Sequence, residues 1–104
     1  MASYYQATIV INSPMRQQFS EVMEEFIPLM GGFGFKMMHA FSTVTDRVGT
    51  FIHLWEIEDA NMLVDGIQKW REHEDFPRIS KKLYECIISE SIILLRKAPY
   101  FQPE

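Results

Sequence analysis

The sequence predicts an α+β fold in which a four-stranded antiparallel sheet carries helices on one face. Two observations lead there. The spacing of apolar residues switches repeatedly between two and about 3.6 residues, and the switches occur at proline, glycine and acidic stop signals. The order that results is strand, helix, strand, strand, helices, strand.

Each element has its own reason. Residues 4–12 alternate, with Tyr5, Ala7, Ile9 and Ile11 on one face and Tyr4, Thr8 and Val10 on the other. Ser13-Pro14 reads as an N-cap followed by proline at the first helical position, where a missing N–H costs nothing. Met15, Phe19, Val22, Met23, Phe26 and Met30 then recur at helical spacing opposite a polar face of Arg16, Gln17, Glu21, Glu24 and Glu25. Pro28 strains the last turn, and Gly31-Gly32 end this helix.

From Phe33 the period returns to two. Phe33, Phe35, Met37, His39 and Phe41 are expected on one face, with Met38, Ala40 and Val44 on the other. Residues 45–49 make a turn, and Thr50 to Ile57 form a strand antiparallel to the preceding one. Asp59 is placed to cap a second helix whose buried stripe is Met62, Leu63, Ile67 and Trp70. Gly66 inside it costs about 1 kcal/mol against alanine, so a close packing contact is expected there. Pro77 opens a further short helix burying Ile79, Leu83 and Ile87, and residues 89–96 give the last strand. This is the split βαβ, ferredoxin-like order, in a single domain over 1–104.

Composition narrows the function classes. With 47% hydrophobic and 23% charged residues the 104-residue chain has an ordinary globular balance. A net charge of −4 and the lack of a basic stripe argue against nucleic-acid binding. No stretch approaches the ~18 apolar residues of a membrane helix, and no leader pattern is visible. The lone cysteine, Cys86, precludes an internal disulfide and fits a reducing compartment, so a cytoplasmic protein is expected.

Three strands carry large apolar groups on both faces: Phe35 and Met38, Trp55 and Leu54, Ile92 and Ile93. Helices cover one face only, so the other is an apolar surface that calls for a partner. A second copy related by two-fold symmetry is the simplest partner, giving a homodimer packed sheet on sheet.

Three segments carry a resemblance. HLWEIEDANM at 53–62, WREHEDFPRI at 70–79 and LLRKAPYFQP at 94–103 resemble the NIPSNAP family. That family lies within the dimeric α+β barrel superfamily, and the resemblance spans roughly the second half of the chain. His53, Trp55 and Asp59 match its recurring histidine, aromatic and acidic helix start, and Pro99-Tyr100-Phe101 match its tail. The helix after that strand departs from the family's arginine-rich pattern, offering Asn61, Asp65 and Lys69 instead. The resemblance implies the dimeric barrel assembly but no defined activity. Its wider superfamily contains cofactor-free monooxygenases, haem-degrading enzymes and isomerases, and fold alone does not choose among them.

His53 and His39 are the candidate catalytic residues. Each lies in an apolar strand, and histidine suits acid/base work near neutral pH. The plainer alternative is a core imidazole satisfied by a hydrogen bond. Whether the two share a face depends on the strand register, which sequence does not fix. Trp55, Phe35 and Tyr84 are the candidate ligand-binding residues of a pocket with apolar walls and few polar groups. Arg71 or Arg78 is a candidate partner for a carboxylate. His73 lies among Arg71, Glu72, Glu74 and Asp75, but no metal-ligand spacing accompanies it, and no metal or cofactor is expected. Cys86 reads as a small buried hydrophobe rather than a catalytic thiol.

Two readings of function follow. One is a protein binding a small apolar or aromatic molecule between sheet and helices, with a cofactor-free enzyme using histidine acid/base chemistry as its active form. The other is a non-catalytic homodimeric interaction module with structural histidines.

Overall fold

The computed structural model describes residues 2–45 and 47–101. Asp46 of the expected 45–49 turn, and Gln102 and Pro103 of the closing motif, lie outside the described residues. Four strands, β1 (Ser3–Ile11), β2 (Lys36–Ser42), β3 (Thr50–Ile57) and β4 (Ile87–Leu95), form one sheet in the order β2-β3-β1-β4. Every neighbouring pair is antiparallel. The helices are α1 (Arg16–Gly31), α2 (Ala60–Glu72) and α3 (Phe76–Cys86). The α+β, ferredoxin-like order expected from sequence is the order observed.

β1 is central, and its alternation decides which face meets the helices. Tyr5, Ala7, Ile9 and Ile11 are buried, while the residues between them are only half-covered. Directly opposed residues share a face in an antiparallel pair. Tyr5 opposite Trp55, Ala7 opposite His53 and Ile9 opposite Phe51 therefore extend the covered face into β3. Against it pack Phe19, Val22, Met23 and Met30 of α1, Trp70 of α2 and Ile79 of α3. Full burial of each large apolar side chain contributes about 1.5–3 kcal/mol.

The local signals differ in how they played out. Asp59 caps α2, its carboxylate accepting from the Met62 N–H at 3.1 Å. Gly66 is buried where a Cβ would stand 2.2 Å from the Phe35 ring, the close contact that its place in a helix implied. Ser13 does not cap. Residues Ser13–Met15 instead make one 3-10 turn closed by the Met15 N–H on the Asn12 carbonyl, and α1 starts at Arg16. The last strand begins at Ile87 rather than 89, because α3 ends at buried Cys86 and runs into β4 without a loop.

The largest departure is in β2. Phe33 and Phe35 precede the strand. Met37 opposes Trp55 and His39 opposes Leu54, so Met38 is an extra residue, a bulge in the pairing. That one insertion moves His39 and Phe41 off the face shared by Phe35 and Met37. They join Ile52 and Leu54, and across β1 Gln6 and Ile93, on the face the helices do not cover. Phe41, Ile93 and Leu95 are exposed there. Among the described residues, no helix is long and apolar enough to cross a membrane.

Candidate functional site

Between the helix face of the sheet and the helices lies a cavity of about 250 Å³. Its deep end is built on β1 and β3 from Tyr5, Ala7, His53 and Trp55, all at least nine-tenths buried. Met23 and Phe26 of α1, Trp70 of α2 and Leu83 of α3 form the roof. At the outer end stand Arg71, Tyr84, Glu90 and Ile92, all exposed, so the cavity opens over edge strand β4.

The space exists because of small residues beside a large polar one. His53 is flanked by alanine on both neighbouring strands, Ala7 on β1 and Ala40 on β2. The imidazole stacks on Phe19, with ring centroids 6.3 Å apart. It is only 4% exposed, yet no described residue hydrogen-bonds to it. Burial pulls its pKa below the ordinary imidazole value, which keeps it neutral at pH 7. A buried imidazole is ordinarily satisfied by a protein partner. This one instead lines a cavity.

The aromatic walls hold one another in place. Trp55 stacks on Tyr5 at 5.9 Å, and Phe26 meets both Trp55 and Trp70 edge to face. Burial, reinforced by the negative charge of Glu90, raises the Tyr5 phenol well above its usual value. Partial desolvation at the cavity mouth also raises the Glu90 carboxyl above the usual carboxylate range. Glu90 was not a candidate on sequence. In the alternating run SESIILL, Glu90 reads as a solvated residue, and only its pairing with Ile9 turns it toward the helices.

The sequence candidates separate. His53 and Trp55 line the deep end, and Tyr84, three-quarters exposed, stands at the rim. His39 is on the opposite sheet face, stacked on Phe41 at 5.6 Å, and cannot reach this cavity. Phe35 is sealed in the core, 1% exposed, in contact with Tyr5 and Trp55 and packed against Gly66. Arg78 is committed to Glu25 and Asp75, whereas Arg71 reaches the cavity rim. His73 accepts the Asp75 N–H on Nδ1 at 3.0 Å and packs on Phe33 and Trp70, a local structural role. The Cys86 thiol is fully buried, and burial raises its pKa, the opposite of what a nucleophile needs. No group of three or more metal-ligating side chains occurs among the described residues.

A larger hollow of about 370 Å³ lies between α1 and α3, lined by Gln17, Gln18, Glu21, Val22, Glu25 and Lys82. Its polar groups are already paired on the surface: Gln17 with Glu21, Gln18 with Glu85, Glu25 with Arg78. It has the character of a solvated groove.

An α+β sandwich with one covered face and a cavity beneath the helices is a class of protein with solved relatives. An uncharacterised NIPSNAP-like domain protein from Burkholderia xenovorans superposes with a TM-score of 0.81 at 12% identity, covering 98% of this chain and 90% of that one. A NIPSNAP family protein of unknown function from Agrobacterium tumefaciens gives 0.85 at 12% identity, covering 96% and 91%. A candidate antibiotic biosynthesis monooxygenase from Nitrosomonas europaea gives 0.73 at 6% identity, covering 94% and 91%. At these identities the likeness is one of fold, and the chain has the fold of the NIPSNAP proteins. No protein-family model and no curated protein matches the sequence.

Proposed function

We propose that this NIPSNAP-like chain binds a small apolar or aromatic molecule in the cavity between sheet and helices. One observation carries the reading: His53 is nine-tenths buried, lacks a partner among the described residues, and lines that cavity. A cavity-lining imidazole without a protein partner has its ring nitrogens available to hydrogen-bond a ligand. Trp55, Phe26 and Trp70 supply the apolar walls expected of such a site. If the protein is an enzyme, His53 is its acid/base group. A neutral imidazole accepts a proton, and this reading requires no metal or cofactor.

The working form in this reading is a cytoplasmic homodimer. Its interface is the uncovered sheet face of Phe41, Ile52, Leu54 and Ile93, which supports a sheet-on-sheet contact. The interaction-module alternative uses the same face, but leaves the His53 cavity without a role.

Trp55 and Trp70 both line the cavity, so ligand entry is readable as a change in tryptophan fluorescence. Titration with small aromatic compounds is expected to saturate at one molecule per chain, and His53→Ala to weaken the polar members of the series. Absence of saturable binding across such a series would falsify the reading.

A further inference from the structure

The cavity's polar groups stand at two ends of one line. His53 on β3 opposes Ala7, and Glu90 on β4 opposes Ile9. Both therefore project from the helix face, on either side of the central strand and two residues apart along it. With strands about 4.8 Å apart and a rise of about 3.4 Å per residue, their α-carbons are about 12 Å apart. Between them the floor is Ala7, which rises by no more than a methyl group, and Ile9. Neither the His53 imidazole nor the Glu90 carboxyl makes a hydrogen bond or ion pair with another described residue. The surfaces between the two ends are apolar, from Phe26, Leu83 and Ile92.

Resting on the reading that this cavity holds a small molecule, we propose that its occupant is a neutral single-ring compound with a hydrogen-bonding group at each end, one directed to His53 and the other to Glu90. Both side chains stand off the same sheet face roughly parallel, so their tips keep about that separation; two hydrogen bonds of about 2.8 Å leave about 6.4 Å, the span of one six-membered ring with a substituent at each end. The cavity of about 250 Å³ agrees, being the share of roughly eight waters at ~30 Å³ each. The deep end requires a neutral group, since a charge beside a neutral, buried imidazole has no counter-charge there. The open end tolerates greater polarity, with Glu90 and Arg71 both at the rim.

Three neutral probes of matched shape test this: p-xylene, 4-methylbenzyl alcohol and 1,4-benzenedimethanol, with no, one and two polar ends. Binding is read by tryptophan fluorescence on the full chain. The two-ended probe is expected to bind about tenfold more tightly than the one-ended probe. Glu90→Leu should cancel that advantage while 4-methylbenzyl alcohol still binds, which also shows that the variant is folded. Glu90→Gln should retain most of it.

Equal affinities for the one-ended and two-ended probes would overturn the two-ended ligand alone, as would an advantage that survives Glu90→Leu. In both cases the small-molecule site stands. Failure of all three probes to bind would overturn the inference together with the reading beneath it.

Discussion

His39 and His53 lie on opposite faces of the sheet, separated by the single inserted residue Met38. Had β2 paired without a bulge, His39 would have turned toward the helices beside His53. With the bulge, the two imidazoles have unrelated surroundings: one is exposed and stacked on Phe41, the other is buried above Ala7.

Substitution of the two histidines should therefore separate cleanly. His39→Ala is expected to leave binding in the cavity unchanged, whereas His53→Ala weakens polar ring compounds about tenfold. Parallel fluorescence titrations of the two variants decide it. Equal effects from both would contradict the face assignment.

Stability should depend on pH through His53. Burial lowers its pKa in the folded chain, so the unfolded chain binds a proton first as pH falls. The stability associated with its neutral form is complete above pH 6.5 and is lost progressively below it. Glu90 acts in the opposite sense, because partial desolvation raises its pKa. Its contribution is complete below pH 4.5 and is lost as pH rises through the folded value. Urea midpoints measured across pH 4–8 should show the acid-side decline in the native chain and a shallower one in His53→Leu. Glu90→Gln should gain stability near neutral pH.

Gly66→Ala should destabilise the fold despite alanine's better helix propensity. The added methyl would fall 2.2 Å from Cε2 and 2.6 Å from Cζ of Phe35, a ring that is 1% exposed and has nowhere to move. Overpacking costs about 1–3 kcal/mol and propensity returns about 1 kcal/mol. A net loss of up to about 2 kcal/mol is expected by denaturant titration. Adding Phe35→Leu should make the pair less than additive.

Much of the fold was readable because its signals are local. Thr50 to Ile57, the Asp59 cap and the tight approach at Gly66 each follow from a few neighbouring residues. The Met38 bulge is different. Nothing in KMMHAFS distinguishes a regular strand from one with an extra residue, since pairing with β3 decides it. The cavity lining was half legible for the same reason. His53 and Trp55 stand out as a histidine and a tryptophan in an apolar strand, but Glu90 becomes a cavity residue only when β4 aligns with β1. Phe35 looked equally suited to a pocket, and the packing against Gly66 sealed it instead.

The Asp59 cap offers a simple check of α2. Asp59→Ala removes the acceptor for the Met62 N–H and should cost about 1 kcal/mol, whereas Asp59→Asn should cost little. Thermal melts of the two variants distinguish the lost cap from a lost charge, which would affect both.

The uncovered sheet face predicts the oligomeric state. Ile93→Asp, at a residue 54% exposed and directly opposite Gln6, should leave the fold intact and convert a dimer to a monomer. Light scattering after size exclusion measures the mass. A native chain that is monomeric at high micromolar concentration would remove the sheet-on-sheet assembly from the proposal.

The opening of the cavity over β4 bears on the lifetime of a complex. The exposed groups at the mouth are the side chains of Tyr84, Arg71, Glu90 and Ile92, and exposed side chains change rotamer in picoseconds to nanoseconds. No helix has to move for a molecule to enter or leave. Association at about 10⁶–10⁷ M⁻¹s⁻¹ then gives a micromolar ligand a residence time of roughly a second or less. Under the proposed reading such a molecule washes away during purification, so binding has to be tested at equilibrium, with free ligand present throughout.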